Sequence, residues 1–391
     1  MAIWLEEITN ANIFIILMMK NILFISHEGS RTGAPLVLLS LVKAMAASFA
    51  PPIKVNVLFL GDGPIIEDFK HYAKVFLYDD SSGMRRLLPY SKRLKYNRFM
   101  FRRWAKRQHF DLIYANTIAS LAEAIDLKSC IQVPILLHIH EGFRTCISYG
   151  ITKDMIEQCD RFISVSSLCT KALTEFGVKQ AKISVIPPFS DNLDITSVKE
   201  CQFDKNPKDT FVVGMSGTGG WQKGSDLFPL IVKRFVSLYP EANVKFVWLG
   251  RLRQSEIGYD LHQLGIEKFV ITPGLVKNPM EYYKRFDVFM LTSREDSFPL
   301  VCMENASLGN PTILFENTSG IVDLIVDGES GLVVPYLDLD AMCQAIYRLY
   351  SDKGLRLKLG ENARKRLNNC FRKENSIQQI LQLLSSSDRI V

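Results

Sequence analysis

The chain has 391 residues, of which 47% are hydrophobic and 23% charged, and a formal net charge of +6. That length accommodates two domains with separate cores, and the balance of residue types is that of a globular protein soluble in water. The charge is too small to require an anionic partner, so the placement of the cations matters more than their sum. None of the eight cysteines forms a Cys-x-x-Cys pair, which excludes the usual spacing of a thiolate metal site and fits a reducing cytoplasm.

In chain order, residues 11–19 are apolar but too short to span a bilayer, and Glu6 and Glu7 precede them where a signal peptide is basic. Residues 1–19 are therefore expected to be an N-terminal extension. Asn21–Ser26 is a continuous apolar run of the kind that forms a buried parallel strand. A glycine-bearing loop, His27–Pro35, and an apolar helix, Leu36–Ala47, follow it. Further strands are expected at Lys54–Phe59, Lys74–Leu77, Leu112–Ala115, Ile135–Ile139 and Phe162–Val165, with helices between most of them. After Val185-Ile-Pro-Pro188 the pattern lapses into a polar stretch, 189–209, which reads as a linker. A second series then begins: Phe211–Met215, a helix from Ser225, Val244–Leu249, Phe269–Ile271, Val288–Leu291, Pro311–Phe315 and Gly331–Val334. Strands alternating with helices predict doubly wound parallel sheets, with ligands at the carboxyl ends of the strands.

Four constellations are able to carry chemistry. In Ser293-Arg-Glu-Asp-Ser-Phe-Pro-Leu-Val-Cys-Met-Glu304, Asp296 lies in a loop and Glu304 on the helix after it. Carboxylates accept hydrogen bonds from vicinal diols, so the pair suits a sugar or ribose; a helix cap beside an incidental acid explains it as well. Gly214-Met-Ser-Gly-Thr-Gly-Gly-Trp-Gln-Lys-Gly224 follows a strand; its glycines, Gly217 among them, allow close backbone approach and Lys223 adds a point charge suited to phosphate. It matches neither a Walker loop nor a dinucleotide loop, and a tight turn accounts for it about as well. Alternation along Leu136-Leu-His-Ile-His140 puts His138 and His140 on one face, with His140 nearer the loop. Gly33, in Thr32-Gly-Ala-Pro35, opens a helix where a backbone can approach an anion, or simply turns the chain.

The first of these segments resembles the Glu-x7-Glu signature of family 4 glycosyltransferases, in a variant with Asp first and Ser-Phe-Pro-Leu-Val after it. The likeness runs from about residue 20 to 370. It implies a GT-B fold of two Rossmann-like halves facing a cleft. The halves would be an acceptor-binding domain at 20–190 and a nucleotide-sugar-binding domain at 210–370. A linker at 191–209 would join them, and a C-terminal helix at 371–391 would cross back. By the same resemblance Glu304 holds the ribose, Asp296 and His140 contact the donor sugar, and Ser297, Phe298, Pro299 and Leu300 lie along the sugar and phosphate. Lys223 matches the lysine of a basic pair on the donor diphosphate. The arginine of that pair is replaced by Ser216 or Thr218, and Arg251 is a candidate substitute. Gly33 and Gly217 complete the expected donor contacts, and His138 is left structural.

The implied reaction is retaining hexosyl transfer from a nucleoside diphosphate sugar to a hydroxyl, by same-face attack with the leaving phosphate taking the proton. No cofactor or metal is expected: Asp338-Leu-Asp340 has a metal-binding form but precedes an amphipathic helix, which makes it a cap. Arg85, Arg86, Lys92, Arg93, Lys95, Arg98, Arg102, Arg103, Lys106 and Arg107 occur without an intervening acid and with interleaved apolar residues. That pattern predicts an anionic membrane surface or lipid-linked acceptor at 85–107, ahead of a solvated face; no nucleic-acid motif accompanies it. The expected setting is cytoplasmic, peripheral on the inner face of the membrane, with a glycan or lipid-linked acceptor. A silent sugar-nucleotide-binding protein or another GT-B enzyme, such as an epimerase, is the alternative.

Overall fold

The computed structural model describes residues 20–47, 53–81, 89–190, 193, 195, 196, 198, 199, 210–252 and 254–385. The expected extension 1–19, most of the expected linker 191–209, and Arg85 and Arg86 lie outside them. Contacts divide the chain into two units. The first comprises the described residues of Met1–Val165, Cys169–Ile186 and Glu374–Val391, and the second those of Ser166–Leu168 and Pro187–Lys373.

The first unit is built on a seven-stranded parallel sheet in the order β3-β2-β1-β4-β5-β6-β7. Its strands are β1 (Lys20–Ser26), β2 (Ile53–Phe59), β3 (Lys74–Leu77), β4 (Leu112–Asn116), β5 (Ile135–Ile139), β6 (Arg161–Ser164) and β7 (Ile183–Val185). Ile22, Leu23, Phe24 and Ile25 are wholly buried, as an unbroken apolar run must be when helices cover both faces of a sheet. β7 was not expected: three residues are too few to establish a period. The helix Gly33–Ala47 starts three residues earlier than its apolar run, with Leu36 N–H donating to Thr32 O at 3.1 Å.

The second unit holds a six-stranded parallel sheet in the order β10-β9-β8-β11-β12-β13. Its strands are β8 (Phe211–Ser216), β9 (Val244–Leu249), β10 (Val270–Gly274), β11 (Val288–Leu291), β12 (Thr312–Phe315) and β13 (Gly331–Val334). In both sheets strand order reverses beside the first strand, at β1/β4 and at β8/β11. Such switch points open a crevice at the carboxyl ends of the strands. The helix expected from Ser225 runs over Leu227–Leu238, and Phe269 closes a short turn ahead of β10. Asp338 caps the helix Leu339–Ser351, accepting from Ala341 N–H at 2.9 Å, and Asp340 pairs with Arg234. The helix Lys373–Ser385 is grouped with the first unit from Glu374 onward. Among the described residues no helix is long and apolar enough to cross a membrane.

Candidate active site

The second sheet's switch point brings together two segments that lie 73 residues apart in sequence. The loop after β8 carries Lys223 and the loop after β11 carries Asp296; the Lys223 ammonium donates to Asp296 Oδ2. Ser293 Oγ donates to the same oxygen at 3.3 Å. Asp296 is 7% exposed, and its backbone is pinned on both sides, with N–H to Thr318 O at 2.8 Å and O to Gly320 N–H at 3.0 Å.

Glycine lets the β8 loop approach this closely. Gly224 has φ +67°, and a Cβ there would meet Thr292 O at 2.1 Å. Gly217 has φ +153°; its N–H donates to Leu249 O at 2.9 Å, and its own O accepts from the Trp248 indole at 3.0 Å. Thr292 Oγ1 donates to Lys223 O at 2.8 Å. The backbone around Lys223 is therefore fixed from β9 and β11, and the ammonium at the end of its side chain is held by Asp296.

Arg294 completes the clamp. Its guanidinium donates to both carboxylate oxygens of Asp226 at 2.8 and 2.7 Å and to Trp221 O at 2.8 Å, and it stacks over the Trp221 ring. Its backbone N–H donates to Gln222 O at 2.8 Å. Arg294 holds Asp226 below the usual carboxylate range through that bidentate bond. Nothing in the sequence singled out Arg294 beyond its place beside Asp296, because its partners lie on the other loop.

Glu304 sits in the helix Leu300–Ser307, 6% exposed, and its Oε1 accepts from Ser190 Oγ at 3.2 Å. Pro299 is the N-cap residue of that helix, and Phe298 turns its ring into the core against Phe371. Ser297 precedes Phe298, and Leu300 opens the helix. Ser216, one of the two positions where the resemblance places an arginine, is buried at the end of β8 and accepts from Tyr283 Oη at 2.7 Å. Thr218 is exposed. Arg251 is exposed at the end of β9, and its carbonyl accepts from Gly219 N–H at 2.6 Å.

In the first unit the carboxyl edge gathers His27, Thr117, His140 and Glu141. Thr117 adopts φ 117°, a conformation that β-branched residues avoid, and its Oγ1 lies 3.3 Å from His27 Nδ1. Asn116 Nδ2 donates to Ala34 O at 3.1 Å, tying β4 to the start of the helix that Gly33 opens. His138 and His140 share a face as expected, with rings 4.1 Å apart. His138 is buried, with Nδ1 2.7 Å from Tyr114 Oη. Burial, reinforced by His27, pushes His140 down to about 3, so it is neutral at ordinary pH and offers hydrogen bonds rather than charge. Glu141 accepts from Ile118 N–H at 3.3 Å and His140 N–H at 2.9 Å, joining β5 to the loop after β4. Burial pushes its carboxyl up to about 7 against those two bonds. Glu141 belongs to no motif in the sequence, and its place comes from bonds to backbone on two separate elements.

The basic segment departs from expectation. Its described part lies mainly on the helix Tyr90–Ala105, and acids from other elements balance it. Arg93 pairs with Asp79 at 2.6 Å, Arg98 with Glu123 and Asp126, and Arg102 with Asp126. The segment itself contains no acid, but the sheet edge and the helix Leu121–Ile131 supply them. Lys92, Lys95, Arg103, Lys106 and Arg107 remain exposed, beside exposed Phe99. Among the described residues no group of three or more His, Cys, Asp or Glu side chains is placed to hold a metal ion.

The chain is 28% identical over 242 residues to the capsular polysaccharide biosynthesis glycosyltransferase CapM of Staphylococcus aureus, covering 59% of this chain and 63% of that one. It is 28% identical over 159 residues to the lipopolysaccharide core biosynthesis mannosyltransferase LpcC of Rhizobium leguminosarum bv. viciae, covering 39% of this chain and 44% of that one. The match thus spans between about two fifths and two thirds of these relatives' lengths. Anabaena HepE, solved with UDP and glucose, superposes with a TM-score of 0.73 at 20% identity over 94% of this chain and 99% of its own. S. aureus TarM, solved with UDP, fondaparinux and α-GlcNAc-glycerol, superposes with a TM-score of 0.72 at 13% identity over 94% of this chain and 100% of its own. At such identities the likeness bears on the fold, which is GT-B. Residues 32–191 match Glycosyltransferase Family 4 and residues 198–366 match Glycosyl transferases group 1, and the chain belongs to this family.

Proposed function

We propose that this protein moves a hexosyl group from a nucleoside diphosphate sugar to a hydroxyl of a glycan or lipid-linked acceptor, in the synthesis of a surface polysaccharide or glycolipid. The observation that carries this reading is the meeting of Lys223 with Asp296 at the switch point of the second sheet, continuous with buried Glu304. Glu304 anchors the ribose in this reading, and Asp296 binds sugar hydroxyls. Lys223 neutralises the charge that builds on the departing diphosphate. Charge stabilisation of that kind, together with positioning, is sufficient to drive such a departure without a covalent intermediate. Arg251 is the second cation, and backbone N–H groups at Gly217 and along Ser297–Leu300 add dipoles.

The transfer proceeds with retention and without metal. The first unit takes the acceptor and the second takes the donor. The protein works in the cytoplasm, held on the inner face of the membrane by exposed Lys92, Lys95, Arg103, Lys106 and Arg107.

A panel of nucleoside diphosphate sugars screened by thermal shift tests the reading, because a ligand of the native state raises its apparent stability. UDP-glucose is the natural first member, since HepE was solved with UDP and glucose. Stabilisation by one donor, followed by acceptor-dependent release of its nucleoside diphosphate, is expected. If no member of the panel stabilises the protein, the reading falls.

A further inference from the structure

One residue beyond Glu304, the helix Leu300–Ser307 carries a wholly buried amide, Asn305. Helix interiors disfavour asparagine, and a buried amide needs partners for its polar atoms. Asn305 Nδ2 donates to Val301 O at 2.8 Å, and its Oδ1 accepts from Asn310 Nδ2 at 3.0 Å. Asn310 is buried too, and the same nitrogen donates to Tyr283 O at 2.7 Å. Tyr283 ends the helix Pro279–Tyr283 and is 1% exposed; its hydroxyl donates to Ser216 Oγ, on the last residue of β8. A hydrogen-bonded chain thus runs from the end of β8 to the helix of Glu304, all of it inside the second unit.

We infer that Asn305, Asn310 and Tyr283 are positioning residues, which hold the Glu304 carboxylate at a set distance from the loop that carries Lys223. The inference rests on the transferase reading, in which those two groups take opposite ends of one nucleotide, the ribose and the diphosphate.

The ends of the chain define what it sets. Ser216 leads directly into Gly217 and the loop to Lys223, while Asn305 follows Glu304 without a gap. Tyr283 touches both sides, by its hydroxyl toward β8 and by its carbonyl toward Asn310. Burial and the charge of Glu304 push that hydroxyl up, so it stays protonated and remains a donor at ordinary pH.

The contribution of the amides is direction. Apolar side chains of the same shape would fill the space at little cost in stability, but an apolar contact lets a helix slide where a hydrogen bond does not. The turn after the helix closes on the same residue. Asn305 O accepts from Leu308 N–H at 3.1 Å and Asn310 N–H at 3.0 Å, and Gly309 makes the reversal at φ +80°. Ser307 Oγ donates to Glu304 O at 2.7 Å. Asn310 therefore meets Asn305 through backbone and side chain together, and cannot shift along the helix without breaking both sets of bonds.

Spacing matters because the ligand is one molecule. Two linked groups gain from their linkage only when both contacts form at once, and a misplacement of about 1 Å can cost about a hundredfold. Disturbing the chain should leave each contact intact and spoil their combination.

Titration calorimetry with UMP, inorganic pyrophosphate and UDP, and with the adenosine and guanosine nucleotides in parallel, tests this on the full chain. Asn305→Leu and Tyr283→Phe should each weaken binding of the diphosphate by about five- to tenfold, the scale of about 1 kcal/mol. The monophosphate and pyrophosphate should bind as they do to the wild type, so the ratio of diphosphate to monophosphate affinity falls. A merely structural role would not move that ratio. Unchanged diphosphate affinity in both variants, or a parallel loss for all three probes, overturns the inference. Tyr283→Phe deletes one hydroxyl and keeps the buried ring, so the test stands even if Asn305→Leu fails to fold. A wild-type protein that binds none of these nucleotides sinks the transferase reading and the inference with it, an outcome distinct from wild-type binding that the variants match.

Discussion

Removing Lys223 should have two separable effects, one on stability and one on turnover. The Lys223 and Asp296 side chains are 26% and 10% exposed, between a surface ion pair and a fully buried one. Surface pairs contribute about 0–1 kcal/mol, whereas breaking a buried pair from one side costs about 3–5 kcal/mol. Lys223→Met leaves the Asp296 carboxylate held by Ser293 alone among the partners described above, so a loss of roughly 1–3 kcal/mol is expected. For a unit of this size that lowers the melting temperature by about 2–10 °C. Adding Asp296→Asn removes the stranded charge and should restore most of the stability. Turnover should not return: losing one preorganised anion stabiliser lowers it by about a hundred- to a thousandfold in either background. Paired thermal melts and nucleotide-release rates on the wild type, both single variants and the double variant measure both effects. If turnover recovers along with stability in the double variant, Lys223 serves only to neutralise Asp296 and the assignment of its charge to the diphosphate is refuted.

Glu141 should make the first unit more stable at mildly acidic pH. Its folded carboxyl is pushed up to about 7, so between the ordinary carboxylate range and pH 7 the native state binds the extra proton and stability falls as pH rises. Glu141→Gln, melted from pH 5 to 8, should flatten that slope and gain most at pH 8; an unchanged slope contradicts the burial argument. Arg294→Ala should cost about 2 kcal/mol through the lost charged hydrogen bonds and raise the donor KM by loosening the Lys223 loop. Arg294→Lys should rescue little, because a lysine cannot replace the bidentate bond to Asp226; full rescue in urea melts and donor titrations would show that charge alone suffices. Replacing Lys92, Lys95, Arg103 and Lys106 by Glu should release the protein from anionic vesicles in a sedimentation assay without changing donor affinity, and binding that persists would remove the membrane from the account.

Local pattern was legible where one strand's own residues determine its burial. Val244–Leu249 and Val288–Leu291 fall where their apolar runs place them, and Asp338 caps the helix it precedes. Legibility ended where a residue's role depends on a partner distant in sequence. Asp296 looked like a free sugar ligand, yet its carboxylate is engaged by a lysine 73 residues away. The arginines of the Tyr90–Ala105 helix looked unbalanced because their acids, Asp79, Glu123 and Asp126, belong to other elements. Arg294 was invisible for the same reason, since its meaning lies in Asp226 and Trp221. Family resemblance supplied roles for Lys223, Asp296 and Glu304 that spacing alone left open between ligand site, turn and cap.

In the proposed reaction a nucleotide sugar sits in the second unit along Asp296 to Glu304. Titration calorimetry of the stabilising donor against wild-type protein and Glu304→Ala tests this most directly. Loss of the ribose contact should weaken donor binding by about tenfold or more, in line with one or two charge-assisted hydrogen bonds, while the fold persists in the far-ultraviolet spectrum. Equal affinity in the two proteins would contradict it.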